Sequence, residues 1–135
     1  MAISNVARVR TRKYSDIDLD FIPHPVTKDL VIKTNEDAVK RAVRNLISTN
    51  AFERPFHSDI GGDVRALLFE NVDIFTASTL ETRIRFQLEK YEPRARIANI
   101  TVRAKEDENA YEVQITYMPD NDVQETNLEV YLERT

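Results

Sequence analysis

The sequence predicts an α+β fold, in which an N-terminal extended segment and about three helices pack on a C-terminal three-stranded antiparallel β-meander. Apolar residues recur at three- and four-residue steps through the middle of the chain, as they do on one face of a helix. Beyond Pro93 they alternate with polar residues, as they do along half-buried strands. The chain has 135 residues, a length that suits a single hydrophobic core.

The extended segment occupies residues 15–33. Ile17, Leu19 and Phe21 alternate with aspartates, so we expect the apolar side chains to point one way and the aspartates the other. Two prolines then break the run before a second apolar stretch. The segment therefore predicts a short strand on each side of a turn.

Helices are predicted next. Apolar residues from Ala38 to Ile47 fall on one face, and Thr34 or Asn35 can cap that helix. After a short helix near Val64, a longer helix is predicted to start at an Asp73 cap and to end near Tyr91. Its predicted core stripe is Ile74, Ala77, Leu80, Ile84, Leu88 and Tyr91.

Three strands are predicted after the long helix. Short polar links at 106–109 and 119–122 favour an antiparallel meander with one buried face. The predicted inward residues are Ala98, Ile100, Val102 and Ala104, then Tyr111, Val113, Ile115 and Tyr117, then Leu128, Val130 and Leu132. The acidic residues predicted to face outward are Glu112, Glu125, Glu129 and Glu133, which would discourage self-pairing of the sheet.

Composition excludes several classes of site. The chain has only 2 glycines, adjacent at Gly61 and Gly62, whereas phosphate-binding loops and dinucleotide fingerprints need two or three at fixed separations. It has no cysteine, which excludes thiolate metal sites and suits synthesis in a reducing host cytoplasm. No apolar run approaches the roughly 18 residues that would span a bilayer, so no membrane span is expected.

Candidate catalytic groups find little support. His24 and His57 lie in separate loops, so no metal site is predicted. The best-placed carboxylates are Glu53, Asp59 and Asp63, but an acid catalyst needs an apolar pocket, and a charged arginine follows Glu53 directly. We therefore predict no catalytic residue, no metal and no cofactor.

The two ends of the chain differ in charge. Residues 1–14 carry four basic residues and no acid, whereas residues 105–135 carry nine acids against Lys105 and Arg134. We interpret residues 1–14 as a basic arm and residues 15–135 as one domain. The acidic remainder would repel a polyanion, so a solvated arm is favoured over nucleic-acid binding.

A rigid corner is predicted where the long helix ends. Pro93 has a fixed φ and cannot continue a helix. Glu92 and Arg94 are therefore expected to project outward from a rigid corner between the helix and the first strand of the sheet. Rigid charges of this kind suit recognition. Arg54 also adjoins a proline, and a salt bridge between Arg54 and Glu92 is a further hypothesis.

Several short motifs in one order resemble a known family. The run Glu53-Arg54-Pro55-Phe56 precedes Leu68-Phe69-Glu70-Asn71, then Tyr91-Glu92-Pro93-Arg94, then three alternating strands. This order resembles the sheath-initiator group of baseplate wedge proteins of contractile-tailed phages, which has relatives in type VI secretion baseplates. The resemblance covers about residues 45–118, and residues 14–18 resemble the family's opening. The sequence departs from the pattern at His57-Ser58-Asp59, where a second proline is expected.

The resemblance implies a structural role in the virion tail. It implies docking on the core-bundle proteins of the wedge and initiation of sheath polymerisation by β-strand augmentation with tail sheath subunits; tail tube or hub proteins are further candidate neighbours. The implied partner-binding residues are Glu92, Pro93 and Arg94, supported by Glu53, Arg54, Pro55 and Phe56. The group is sometimes labelled lysozyme-like, so a peptidoglycan-degrading hydrolase stays open as the alternative.

Overall fold

The computed structural model describes residues 13–120 and 122–133, and the predicted basic arm lies almost entirely outside them. A small antiparallel hairpin opens the described chain and precedes the helices. A three-stranded antiparallel sheet of order β3-β4-β5 closes it. The elements are β1 (Ser15–Ile17), β2 (Ile32–Thr34), α1 (Asn35–Ser48), α2 (Val64–Leu67), α3 (Ile74–Tyr91), β3 (Ala95–Lys105), β4 (Ala110–Pro119) and β5 (Thr126–Glu133). The α+β prediction is confirmed.

The core lies between the helices and one face of the sheet. The central strand β4 buries Tyr111, Val113, Ile115 and Tyr117 completely. Helix α3 packs on this layer, and α1 packs on α3. Antiparallel sheets commonly bury one face and leave the other in solvent, which is the arrangement here.

Two residues of the predicted core are exposed, and each has a local reason. Ala98 sits at a register shift between Ile97 and Asn99, where a β-bulge reverses the inward alternation of β3. The prediction that Ala98 points inward with Ile100 is therefore wrong. Ile74 is 77% exposed because it occupies the first turn of α3, beyond the part that packs on the sheet.

The glycine pair allows the loop before α2 to fold back on its own backbone and to pass close to α3. Gly61 has φ +151°, and a Cβ there would lie 2.3 Å from the backbone nitrogen of Ala51. A Cβ on Gly62 would lie 2.0 Å from Oε1 of Gln87, whose Nε2 donates to the carbonyl of Leu46 at 2.9 Å. Neither position therefore has room for a side chain, because backbone and a buried amide occupy the space.

Among residues 13–120 and 122–133, no helix is both long and apolar enough to cross a bilayer.

The predicted cap of the long helix is present. The Thr76 N–H donates to the Asp73 carboxylate at 2.7 Å, and this hydrogen bond holds the pKa of Asp73 below its ordinary value of 3.8. At α1, Thr34 occupies the N-cap position but its side chain makes no capping hydrogen bond. A side-chain cap is therefore present at the start of α3, whereas Thr34 does not cap α1 with its side chain.

We predict that Asp73→Ala lowers Tm by about 3–5 °C at neutral pH, because α3 loses a partner for its first N–H groups. A group with a depressed folded-state pKa stabilises the fold above its unfolded pKa and loses that contribution as pH falls through the folded pKa. The Tm difference between wild type and variant should therefore shrink below pH 3.8.

Thermal unfolding followed by circular dichroism between pH 2.5 and 7 measures this difference. Asp73→Ser is the matched control, since serine retains a capping oxygen that does not titrate. A Tm gap between wild type and Asp73→Ala that stays constant down to pH 2.5 would contradict the capping role of the carboxylate.

Candidate docking surface at the end of the long helix

The corner, defined as Glu92, Pro93 and Arg94, links α3 to β3. The Glu92 N–H donates to the Leu88 carbonyl at 2.9 Å and completes the last turn of the helix. Pro93 has no N–H with which to continue the helix. The Ala95 N–H donates back to the Glu92 carbonyl at 3.1 Å and directs the chain into β3.

The carboxylate of Glu92 is buried, with only 6% of the residue exposed, and it is paired with Arg94. Arg94 donates from Nε to Oε1 at 2.7 Å and from Nη2 to Oε2 at 2.9 Å. This two-bond geometry matches the planar fork of a guanidinium to a carboxylate. The hydrogen bonds that Arg94 donates to Glu92 raise the pKa of Arg94 above its ordinary value, and Asp16 adds to the effect.

The other side of the Arg94 guanidinium reaches the N-terminal hairpin. Nη1 and Nη2 donate to the two carboxylate oxygens of Asp16, each at 3.2 Å. The guanidinium carbon also lies 5.4 Å from the centre of the Tyr14 ring, within cation–π range. Arg94 therefore joins the hairpin to the helix–strand corner, across 78 residues of sequence.

This arrangement differs from the sequence-based expectation for the corner. Glu92 and Arg94 were expected to project outward, but Glu92 points inward and Arg94 is held between two carboxylates. The hypothesised pair between Arg54 and Glu92 is not formed, because Arg94 occupies both oxygens of Glu92. The sequence signal for the pairing of Arg94 lay in the aspartates of residues 16–20, because carboxylates that face the domain require basic partners.

The proline loop, defined as residues 50–62, flanks the corner. The Glu53 carboxylate accepts from the Asn50 N–H at 2.8 Å, which holds the first turn of the loop. Tyr91, the last residue of α3, donates from its hydroxyl to the Asp59 carbonyl at 2.7 Å. Phe56 is fully exposed at the tip of the loop. Tyr91 thus fixes the loop beside the corner.

A groove of about 530 Å³ runs between the hairpin, α1, the proline loop and the corner. Of the seven predicted partner-binding residues, Arg54, Glu92 and Arg94 line it together. Glu53, Pro55 and Phe56 lie on the exposed loop outside it, and Pro93 is exposed at the turn. The groove also contains residues that the sequence analysis did not assign to partner binding: Ile17, Leu19, Arg41, Leu46, Ile60 and Tyr91.

The groove carries more positive than negative charge. Its two acids, Asp16 and Glu92, are both bonded to Arg94. Arg41 is 2.6 Å from Asp20, on the hairpin. Among the described residues, no hydrogen bond or ion pair engages the side chain of Arg54, which leaves its cation available to a bound partner.

The carboxylates considered for hydrolysis do not form a catalytic pocket. Glu53, Asp59 and Asp63 are all exposed. Each is also engaged: Glu53 with Asn50, Asp59 with Tyr91, and Asp63 with an arginine at 3.9 Å. In the described part of the chain, no group of three or more potential ligands is arranged to hold a metal ion.

We predict that Arg94→Met lowers the free energy of unfolding by about 2–3 kcal/mol, because it leaves the buried Glu92 carboxylate without its partner. The value lies below that of a fully buried pair because a quarter of the Arg94 side chain remains exposed. Urea denaturation measures the change. Arg96→Met, on the exposed face of β3, is the control and should stay within about 0.5 kcal/mol of wild type. Equal effects of the two variants would remove the structural role assigned to Arg94.

Two solved structures share this fold. A chain of the anti-feeding prophage baseplate, determined by cryo-EM with six-fold symmetry, superposes with a TM-score of 0.71 at 22% identity, covering 83% of this chain and 90% of that one. A crystal structure from Geobacter sulfurreducens, provisionally named a tail lysozyme, gives 0.67 at 21% identity, covering 74% and 91%. At these identities the likeness concerns the fold alone.

Sequence comparison reaches further. The chain is 35% identical over 81 residues to baseplate wedge protein gp25 of Enterobacteria phage T4. The match covers 60% of this chain and 61% of the length of that relative. The family model described as baseplate wedge protein gp25 matches residues 33–123, which include the corner, the proline loop and most of the sheet. The chain therefore belongs to the gp25 family of baseplate wedge proteins.

Proposed function

We propose that this chain is a non-enzymatic assembly protein of a contractile-tail baseplate, located in the virion tail. It docks on the core-bundle proteins of the wedge through the groove and the proline loop. Its sheet then initiates sheath polymerisation by accepting strands of tail sheath subunits. Family membership supports the baseplate role, and the open edge of β5 carries the proposal for the sheath.

Strand β5 offers a regular edge for pairing. It runs in unbroken register with β4 from Thr126 to Glu133, and no described strand pairs with its other side. Its far end is tied to the β3–β4 turn, because the Tyr131 hydroxyl donates to the Glu108 carboxylate. That hydrogen bond raises the pKa of Tyr131 to about 12. A regular, fixed edge of this kind is what β-augmentation requires.

The opposite edge of the sheet is less suited to pairing. Strand β3 carries the bulge between Ile97 and Asn99, and bulges interrupt the ladder of N–H and C=O groups that a new strand would use. The two edges therefore differ in backbone regularity, and β5 is the better acceptor.

The charge of the β5 edge favours a basic partner strand. Glu125, Glu129 and Glu133 are all exposed along or beside it. Like charges oppose pairing between two copies of this edge, whereas lysines and arginines on an incoming strand would be attracted. The acids thus act against self-association and for a foreign strand.

The docking part of the proposal rests on the groove and the loop. Arg54 reaches the groove with its cation unengaged among the described residues, while Phe52 and Phe56 stand 83% and fully exposed on the loop. Arginine and aromatic side chains are enriched at the energetic centres of interfaces. In this chain Arg94 and Glu92 hold the docking surface in shape, and Arg54 and Phe56 face the partner.

The enzymatic alternative, a peptidoglycan hydrolase, rests on the name given to the Geobacter sulfurreducens structure and on the fold that it shares with this chain. The candidate acids are exposed and lack the apolar surroundings that would keep a carboxylic acid protonated for catalysis. Clearing of cell-wall substrate by the purified protein, with loss of that activity in Glu53→Gln, would establish the alternative.

We predict that Glu129→Lys with Glu133→Lys permits incorporation into baseplates but reduces sheathed particles by about tenfold, because the edge then repels a basic strand. The wedge proteins and the sheath subunit encoded with this chain are co-expressed. Electron microscopy counts sheathed particles, and hydrogen exchange reports protection of residues 126–133 on sheath addition.

The matched control is Glu106→Lys with Asp107→Lys, which makes the same charge change in the β3–β4 turn and should sheathe normally. Arg54→Glu tests docking in the same assay and should reduce incorporation itself. Normal sheathing by the β5 variant, without protection of β5, would refute the sheath assignment.

A further inference from the structure

Helix α1 runs alongside β5, the strand whose free edge the proposed function assigns to the sheath. Near the start of both elements, the Thr126 hydroxyl donates to the Glu36 carboxylate at 3.2 Å. Near their far ends, Ile47 of α1 and Leu132 of β5 line one cavity of about 360 Å³. These two points place the helix and the strand side by side, running in the same direction.

The flank of α1 beside β5 carries two basic residues between those points. Glu36, Lys40 and Arg44 follow one another at four-residue steps, so their side chains are neighbours on the helix surface. A helix rises about 1.5 Å per residue and a strand about 3.3 Å. On this scale Lys40 lies about 6 Å beyond Glu36, level with Leu128, and Arg44 lies about 12 Å beyond Glu36, level with Val130.

Lys40 and Arg44 carry charges that no described residue neutralises. With Lys33 and Arg41 they line a cleft of about 230 Å³, in which four basic residues meet one acid, Asp37. Lys33 and Arg41 are paired with aspartates of the N-terminal hairpin. In residues 13–120 and 122–133, no hydrogen bond or ion pair engages the side chain of Lys40 or Arg44. Like charges one helical turn apart repel each other, so an acid supplied from outside would stabilise this pair.

We propose that the strand added to β5 carries opposite charges on its two faces, with carboxylates on the side of α1 and basic residues on the outer side. The inference deepens the sheath proposal and rests on it. Successive side chains of a strand point to opposite faces, and an added strand lies about 4.8 Å beyond its neighbour. Its helix-side residues opposite Leu128 and Val130 therefore come within reach of the long side chains of Lys40 and Arg44.

The outer face of β5 has the opposite charge. Glu129 and Glu133 are exposed there, and they alternate with the inward-facing Leu128, Val130 and Leu132. A residue of the added strand opposite Glu129 is therefore basic, whereas the residues on either side of it are acidic. This alternation restricts the register of the added strand, because a slip by one residue would place each charge beside a charge of its own sign.

Photo-crosslinking in sheathed baseplates identifies the added strand. Benzoylphenylalanine replaces Tyr131 in the full chain, because it keeps an aromatic ring at this half-exposed position of β5. Mass spectrometry should find a crosslinked sheath-subunit segment in which acidic and basic residues alternate. A sheath segment without that alternation would overturn this inference alone. Amides of β5 that stay unprotected from hydrogen exchange on sheath addition would overturn the sheath proposal with it.

Charge reversal tests the contact itself, and it decides the matter if no crosslink forms. Lys40→Glu with Arg44→Glu should enter baseplates normally but reduce sheathed particles about tenfold, because the flank of α1 would then repel the acids of the strand. Changing the acids of the crosslinked strand to lysine should restore sheathing of that variant.

The matched control is Arg96→Glu with Arg103→Glu, which makes the same charge change at exposed positions of β3 and should sheathe normally. Circular dichroism checks that the variants fold. If the reversal variant does not fold, Lys40→Gln with Arg44→Gln replaces it, with an expected loss of about threefold. Normal sheathing by the folded α1 variant, or no rescue by the altered strand, would overturn the inference.

Discussion

The position of one guanidinium sets the geometry of the whole N-terminal side of this protein. Arg94 is the last residue of the helix–strand corner, and its guanidinium is held between Glu92 and Asp16. Because Glu92 is buried, water cannot replace Arg94 at its carboxylate, and separating the pair would leave a desolvated charge. The hairpin, the groove and the corner therefore keep fixed positions relative to each other.

The packing of the helices decides which surfaces remain open. Helix α3 lies over the sheet and helps to bury one face of β4, and α1 packs on α3 and contributes to the same core. The glycine pair lets the proline loop fold against its own backbone at Ala51 and pass close to Gln87 of α3, where a side chain would collide. Among the described residues, the regular edge of β5 and the groove with Arg54 are open to partners. Open surfaces of different kinds suit a part of a many-protein assembly.

Local patterns predicted the elements well, and long-range partnerships account for what they missed. Three-and-four periodicity located α1 and α3, Asp73 marked the start of α3, and period-two alternation located the three strands of the sheet. The bulge at Ala98 interrupts that alternation without any local sign such as glycine. The position of Arg94 depends on Asp16 of the hairpin, 78 residues away in sequence, which no local window of sequence contains. The docking and sheath assignments came from the order of motifs, and they stay predictions.

The central claim is that Arg94 braces the hairpin through Asp16. A double-mutant cycle of Asp16→Asn and Arg94→Met, read by hydrogen exchange at the Asp18 amide that donates to the Val31 carbonyl, tests it most directly. The account predicts that each single variant speeds exchange in the hairpin and that the double variant is no faster than the more damaging single one. Exchange rates that multiply independently, or that equal wild type, would contradict it.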